Sequence, residues 1–359
     1  MDHLDELKEF ARLHARGQGL TAEHTDAVLR RITNDTPGDP ASWAAVWTAE
    51  GRAAADRGDL LDACRHYALA RFPHPPTTTT GGSRSNSASP PSTPGAATPV
   101  PASNASPSPT PTAPPTPAGP PASTGTSRCW WCAEASSASR NSGRPCCPLL
   151  RKLGFAAVVT ELPGVGEHDA PYRPGSWRTL SDLLDRLATR ADVSDTSFLA
   201  LSFSGHLALR TAAEDPRVRR VLTVGAPVAD FFTDTQWWPR VPRITVDTLT
   251  RLTGSADETE LRALLPEFAL GQDLLAGLDL PVRYVASARD EIIPPREQAL
   301  LRRALPDVKF KVFDDVHGSP AHLGAMRRWL FTQLLLLRIT RRRVTRQHTS
   351  PTPLSRRQP

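Results

Sequence analysis

Three residues able to act as a nucleophile, an acid and a base each follow a predicted β-strand. Ser202 follows the apolar stretch 197–201, Asp290 follows residues 281–287, and His317 follows residues 308–313. Residues 308–313 alternate with a period of two, as a half-buried strand does. A serine hydroxyl can attack a carbonyl carbon while a histidine accepts its proton and an aspartate orients the imidazole. The alternative is that Asp290 forms a turn and His317 is a solvent-exposed loop residue.

Two serines compete for the role of nucleophile in the segment that joins a predicted strand to a helix. A strained strand–turn–helix needs small residues around its nucleophile, because the strand and helix backbones pass close to the turn. Around Ser202 these positions hold Ala200, Ser204 and Gly205. If Ser204 were the nucleophile, the bulky His206 would occupy one of them. The pattern favours Ser202, and the alternative without chemistry is a strand followed by a polar helix cap.

These roles predict a serine hydrolase that cleaves a carboxylic ester or related carbonyl compound through an acyl-enzyme. The backbone N–H of Phe203, directly after the nucleophile, is the expected oxyanion donor. We expect four aromatic residues of a later segment to bind an apolar or aromatic group of the substrate, although any of them could be core. These are Phe231, Phe232, Trp237 and Trp238. We predict no cofactor.

The elements around these residues alternate between strands and helices. Residues 155–160 and 218–224 are predicted strands, leucines at helical spacing mark a helix near 180–187, and a last helix covers about 322–338. Residues 226–280 form an insertion that should be a lid or pocket wall. We therefore predict a catalytic core over 148–338.

Residues 1–73 are predicted to form a separate helical domain that covers the active site. Four helices are expected, the second capped by Thr21 and the third begun by Asp39 and a proline at its first position. Trp43 and Trp47 lie on one face of the third helix and should pack in a core.

The segment 74–127 has a different composition from the rest of the chain. It holds fifteen prolines, one arginine, no acidic residue and no aromatic residue. Such a segment cannot bury a core, so we predict that it is disordered. Cys129-Trp-Trp-Cys132 and Cys146-Cys147 follow it. Adjacent cysteines without a nearby histidine fit a zinc or redox site poorly, so we predict no metal site there.

Charge and hydropathy limit the classes of partner. The formal net charge is +6, and the tail from Arg338 carries seven arginines and no acidic residue. We interpret residues 339–359 as a basic disordered tail rather than a nucleic-acid-binding segment. The N-terminus lacks the pattern of a signal peptide, and the apolar run 329–337 is too short to span a membrane. We expect a cytoplasmic protein that binds a small molecule. The sequence leaves open whether the chain forms a homodimer.

Residues 148–338 resemble α/β-hydrolases, most closely the FrsA-like esterase branch. The resemblance rests on the Ser-Phe-Ser-Gly elbow, the Trp-bearing insertion, Arg-Asp-Glu-Ile-Ile-Pro and Asp-Val-His-Gly-Ser-Pro-Ala-His, with a weaker match in the N-terminal helices. The order Ser…Asp…His is that of this superfamily. The resemblance implies an α/β-hydrolase fold, a mostly parallel sheet with helices on both faces, a helical N-terminal domain and a helical lid. Ala200 and Ser204 replace the usual glycines of the elbow.

Residues 74–147 do not match that branch, and we interpret them as frameshifted. The resemblance implies that this interval holds a central strand and the oxyanion loop, which supplies the second oxyanion donor. The strand should lie between the strand at Phe155 and the strand before Ser202. Cys129-Trp-Trp-Cys132 must be encoded TGY TGG TGG TGY, and reading from the third base forces Leu-Val-Val. The alternative is a genuine linker, and the DNA across this interval distinguishes the two.

The printed chain raises two further expectations. Without the missing strand, the strand at Phe155 would expose an apolar edge, and the polypeptide would be poorly soluble or inactive. The alternative functions are therefore a catalytically impaired relic or a non-catalytic binding protein. A carbon–carbon bond hydrolase of the same fold is a further alternative.

Overall fold

The computed structural model describes residues 3–36, 38–71, 128–133 and 150–348, except 151, 153, 166, 167 and 169. The N-terminal helices are α1 (His3–Gln18), α2 (Ala22–Arg30), α3 (Trp43–Asp56) and α4 (Leu60–Ala70). The strands are β1 (Arg128–Ala133), β2 (Phe155–Thr160), β3 (Asp192–Leu201), β4 (Val218–Val224), β5 (Val282–Ser287) and β6 (Val308–Phe313). The later α-helices are α5 (Arg178–Leu187), α6 (Phe203–Glu214), α7 (Asp230–Thr233), α8 (Arg243–Thr253), α9 (Glu258–Leu264), α10 (Gln272–Ala276), α11 (Pro295–Ala304) and α12 (Leu323–His348).

The six strands form one sheet in the order β2-β1-β3-β4-β5-β6, and every neighbouring pair is parallel. A parallel sheet needs helices on both faces, because its strands are apolar on both sides. Every residue of β5 is accordingly buried. The predicted α/β fold, with its parallel sheet and N-terminal helices, is confirmed.

The strand β1 corrects one expectation from the sequence. Its six residues pair with β2 on one side and with β3 on the other, so a strand does lie where the resemblance placed one. The printed residues supply it without any change of frame, because none of the six is a proline and each can join a ladder. The expectation that the strand at Phe155 lacks a partner is therefore wrong. The proposed disorder of residues 74–127 lies outside the described residues.

Alternating side chains of the strands enter two separate apolar clusters. On β4, Val221 packs in the cluster that contains Leu183 of α5 and Leu207 of α6. The next residue, Leu222, packs in the cluster formed with α12, through its residues Met326, Leu330 and Leu334. The sheet is thus covered on opposite faces by different helices, and its carboxyl edge is left for the loops that carry function.

The N-terminal helices form their own core, with Trp43, Val46 and Trp47 buried in it as predicted. Thr21 caps α2 by accepting a hydrogen bond from the backbone of His24. The predicted start of the third helix is wrong. Ser42 is the N-cap, because its side chain accepts a hydrogen bond from the Ala45 N–H. The Asp39 carboxylate instead accepts a hydrogen bond from the Ala41 N–H in the preceding turn.

Helix α1 joins the N-terminal helices to the insertion. Glu6 accepts hydrogen bonds from the backbone N–H groups of Arg243 and Ile244, at 3.0 and 2.8 Å, and so satisfies the first turn of α8. Ile244 packs in the N-terminal core. At the other end of α1, Arg327 of α12 donates to the carbonyl oxygen of Gly17.

The last helix is longer than predicted. α12 continues ten residues beyond 338, to His348, so the boundary of the predicted disordered tail is wrong for that stretch. Arginine is a good helix former, and no glycine or proline interrupts residues 339–348. Residues 349–359 lie outside the described part. Among the described helices, none combines the length and the apolar composition needed to cross a membrane.

Candidate active site

Ser202 lies on a strained turn between β3 and α6. Its φ of 52° and ψ of −127° place a non-glycine residue in a sparsely populated region of backbone space. The Ser202 N–H donates to the Val224 carbonyl oxygen at 2.7 Å, which ties the turn to β4. A Cβ at Gly205 would lie 2.1 Å from Thr223 Oγ1 and 2.6 Å from Ala226 Cβ. The predicted need for small residues around Ser202 therefore has a specific cause at Gly205.

The three residues predicted from their positions after strands are brought together. Ser202 Oγ lies 3.0 Å from His317 Nε2. His317 Nδ1 lies 3.0 and 3.1 Å from the two carboxylate oxygens of Asp290. Because a carboxylate only accepts, Nδ1 carries the proton and Nε2 presents its lone pair to the serine hydroxyl. This is the geometry in which a histidine can remove the serine proton.

The loops that carry Asp290 and His317 are fixed by further hydrogen bonds. Asp290 accepts from the backbone N–H groups of Ile292 and Ile293. Glu291 accepts from the His317 N–H at 2.9 Å, so one loop holds the other. Trp237 donates its indole N–H to the carbonyl oxygen of Ile292 at 2.8 Å, which joins the insertion to the acid loop.

The other two aspartates near the histidine have different partners. Asp314 is exposed and pairs with Arg289. Asp315 is buried and accepts from the backbone of Val316 and Ala321 and from Nδ1 of His322. Asp315 therefore shapes the loop around His317, and the carboxylate that contacts His317 is that of Asp290.

The electrostatic surroundings of His317 favour its charged form. Burial alone would lower the pKa of His317, but the charge and hydrogen bond of Asp290 and the charge of Glu291 outweigh it. The pKa of His317 therefore lies above its ordinary value of 6.5. An imidazolium stabilised in this way is what a base becomes after it has accepted the serine proton.

Gly225, which directly follows β4, leaves space for the His317 ring. Gly225 has a φ of 58°, and a Cβ there would lie 2.7 Å from His317 Cε1 and 3.1 Å from Nδ1. Its N–H donates to the Val285 carbonyl oxygen. The sequence did not indicate this position, because a glycine after a strand is also typical of an ordinary turn.

Gly225→Ala should lower kcat about 100-fold, because the added methyl group would displace the His317 imidazole from Ser202. Small displacements of reacting groups have large effects on rate. Gly58→Ala is the matched control, since Gly58 also has a positive φ but has nothing within 4 Å of its added Cβ. The kcat of both variants and their melting temperatures measure the effect. Equal kcat in the two variants would contradict the assigned role of Gly225.

His206 has a structural role next to the elbow. Its Nε2 donates to the Phe268 carbonyl oxygen at 2.7 Å, and its Nδ1 accepts from the Tyr172 hydroxyl at 2.9 Å. Burial lowers the pKa of His206 to about 4, so it is neutral at pH 7. It fastens α6 to the insertion. Ser204 is buried in the first turn of α6.

The four aromatic residues predicted to bind substrate differ in their surroundings. Phe231, Phe232 and Trp238 are buried in the large core cluster, and Trp237 packs against it while remaining partly exposed. Phe231 lies edge-on to Phe203 of the elbow, with ring centroids 5.4 Å apart. The insertion therefore packs directly on the residue after Ser202. That these side chains contact substrate stays a prediction.

The expected oxyanion donors lie on two elements. Phe203 begins α6, so its N–H is in the first turn, where no earlier helical carbonyl is available to it. The second donor should follow the central strand β1, and residues 134–149 lie outside the described part of the chain.

Glu297 anchors the start of the insertion and was not found from the sequence. It is completely buried, and its carboxylate accepts from the backbone N–H groups of Val228, Ala229 and Asp230. Burial raises the pKa of Glu297 to about 7, although the three donors favour its ionised form. The segment between β4 and α7 is thereby fixed beside the active site.

Helix α1 brings a second histidine, His14, toward His317. The pKa of His14 is lowered to about 4, first by burial and then by the charge of His317. Helix α1 also lies against the turn Pro320–His322, just beyond His317. The N-terminal helices therefore contribute to the surroundings of His317, and their covering of the active site stays a prediction.

A parallel sheet with helices on both faces, a strained serine turn after β3, and Asp290 and His317 in the loops after β5 and β6 are the features of an α/β-hydrolase fold. The chain belongs to the α/β-hydrolase superfamily. It is similar to AbyA5, with 36% sequence identity and a TM-score of 0.78 over 96% of this chain and 97% of AbyA5. A second AbyA5 structure is 35% identical, with a TM-score of 0.72 over 89% of this chain and 96% of that one.

A more distant solved structure shares the fold. The 2,6-dihydroxy-pseudo-oxynicotine hydrolase is 13% identical, with a TM-score of 0.60 over 89% of this chain and 94% of its own. No protein-family model matches the chain, and no curated protein matches it.

Proposed function

We propose that this protein hydrolyses a carboxylic ester or related carbonyl compound through an acyl-enzyme on Ser202, as in the FrsA-like esterase branch. The observation that carries the proposal is the connected series of contacts from Ser202 Oγ through His317 to Asp290, with 3.0 Å at each step. The strained φ of Ser202 supports it, because such strain is found where a side chain must be held in a reactive position.

The reaction proceeds in two halves. His317 Nε2 accepts the Ser202 proton as the serine oxygen bonds to the carbonyl carbon, and Asp290 stabilises the imidazolium. The oxyanion is bound by the Phe203 N–H, and His317 then protonates the leaving alcohol as the carbonyl re-forms. Water, deprotonated by His317, attacks the acyl-enzyme, and the acid is released with Ser202 protonated again.

The proposal retains the other expectations from the sequence. The substrate is a small molecule, and its acyl group is apolar or aromatic because the insertion beside Ser202 is rich in Phe and Trp. A cytoplasmic location is part of the same proposal.

Hydrolysis of p-nitrophenyl esters with acyl groups of increasing length tests the function. The full-length chain should release p-nitrophenol faster than Ser202→Ala, which measures hydrolysis that does not use this serine. A folded chain with neither ester turnover nor fluorophosphonate labelling would favour the relic or binding protein. Labelling without ester turnover would favour the carbon–carbon bond hydrolase.

The rate of fluorophosphonate labelling should rise with pH through an apparent pKa above 6.5, because only neutral His317 can accept the serine proton and its pKa is raised. Glu291→Gln should move the midpoint to lower pH, because it removes one of the charges that raise this pKa. The labelling rate against pH of both proteins measures the effect. A midpoint that is unchanged in Glu291→Gln, or a rate that falls with pH, would contradict the assignment.

A further inference from the structure

We propose that the N-terminal helices bind one divalent transition-metal ion, with Zn²⁺ as the expected ion, through His24, Glu50 and His66. Each ligand comes from a different helix, α2, α3 and α4. One donor atom from each side chain lies within 4.8 Å of the others. The inference does not depend on the proposed function.

The hydrogen bonds of His66 direct a lone pair toward the shared space. His66 Nδ1 lies 2.7 Å from the Asp62 carbonyl oxygen, which can only accept, so Nδ1 carries the proton. Nε2 is then unprotonated and lies 2.7 Å from His24 Nε2. An imidazole held in one tautomer by a backbone carbonyl is the usual arrangement of a metal-ligating histidine.

Glu50 supplies the carboxylate. Its Oε1 accepts from Arg31 at 2.7 Å, and its Oε2 lies 3.9 Å from His24 Nε2. Arg31 thus orients the carboxylate while leaving the second oxygen toward the histidines. Each histidine binds the ion through an unprotonated nitrogen, because only that nitrogen has a lone pair to donate.

The separation of the donor atoms fits a tetrahedral ion after a small movement. Zn–N bonds of about 2.0–2.1 Å at a tetrahedral angle separate two nitrogens by roughly 3.3 Å. The two Nε2 atoms are closer than that, so one ring must move outward by about 0.6 Å. His66 is buried beside Trp47, whereas the His24 side chain is 39% exposed in the first turn of its helix and is able to move.

The choice of ion follows from the ligand types. Two imidazoles and one carboxylate suit Zn²⁺ and its neighbours in the first transition row, whereas Mg²⁺ and Ca²⁺ prefer sites made of oxygen. Three protein ligands leave a position for water on the exposed side, next to His24. The expected result of binding is that one ion cross-links three helices of the N-terminal core and raises their stability.

The experiment uses the full chain with its five cysteines, Cys64, Cys129, Cys132, Cys146 and Cys147, changed to serine, so that no thiol competes for the metal. After removal of metal with EDTA, titration calorimetry should show one Zn²⁺ per chain, and Zn²⁺ should raise the melting temperature. Co²⁺ should give the intense visible absorption of a tetrahedral site. His24→Gln should weaken Zn²⁺ binding at least about 100-fold, since removal of even a supporting residue costs 10–100-fold.

A histidine elsewhere provides the control. His322→Gln changes a side chain of equal exposure that pairs with Asp315, and it should retain one Zn²⁺ per chain. His24 lies on the exposed side, so its variant should melt at the temperature of the metal-free parent. Absence of Zn²⁺ binding by the parent, or full affinity in His24→Gln, would overturn the proposal.

Discussion

Ser202→Ala should lower ester turnover by about 10⁶-fold, because it removes the only oxygen to which His317 Nε2 is seen to hydrogen-bond among the described residues. Ser204→Ala should keep most of the activity, because Ser204 lies inside the first turn of α6. The measurement is kcat/KM for the same ester in the parent and both variants.

The two serine variants serve as controls for each other, since they are two residues apart and lose the same atom. Ser204 is buried, so Ser204→Ala can lose some stability, and a thermal melt separates that loss from a loss of chemistry. Equal loss of activity in two folded variants, or loss in Ser204→Ala alone, would show that Ser202 is not the nucleophile.

Asp290→Asn should lower kcat by about 10⁴-fold with little change in fold. An asparagine amide can hold the imidazole in the wrong tautomer, and a neutral side chain cannot stabilise the imidazolium. The loop itself should persist, because the asparagine oxygen can still accept from the Ile292 and Ile293 N–H groups. Steady-state kinetics and circular dichroism measure the two parts of this prediction.

Asp314→Asn is the matched control for the acid. It makes the same chemical change at the end of the neighbouring strand β6, on a side chain that is 83% exposed and pairs only with Arg289 in the described structure. Its kcat should stay within about twofold of the parent, because exposed ion pairs contribute little. A larger loss in Asp314→Asn or in Asp315→Asn than in Asp290→Asn would show that the acid is misassigned.

Local patterns in the sequence were sufficient to place the three central residues. Strands at 155–160, 218–224 and 308–313 have the predicted bounds, because each is an apolar or alternating run that ends at turn residues. Side chains that directly follow parallel strands must meet at one edge of the sheet, which is why the predicted Ser202, Asp290 and His317 lie together.

Features that depend on distant contacts were beyond the sequence. Glu297 looks like an ordinary residue in the first turn of a helix, and only folding brings it to the backbone of residues 228–230. Gly225 matters because His317 packs on it. The role of β1 was also missed, because its residues were interpreted as frameshifted, whereas the ladder forms from the backbone of these same residues.

Peptide mapping of the fluorophosphonate-treated chain by mass spectrometry tests the central claim most directly. The account predicts one adduct per chain, carried by Ser202 in the peptide that spans the β3–α6 turn, and formed at a rate that falls sharply in Asp290→Asn. An adduct on Ser204, or a folded chain that takes up no adduct while a reference serine esterase is labelled fully, would contradict the assignment of Ser202, His317 and Asp290 as a catalytic triad.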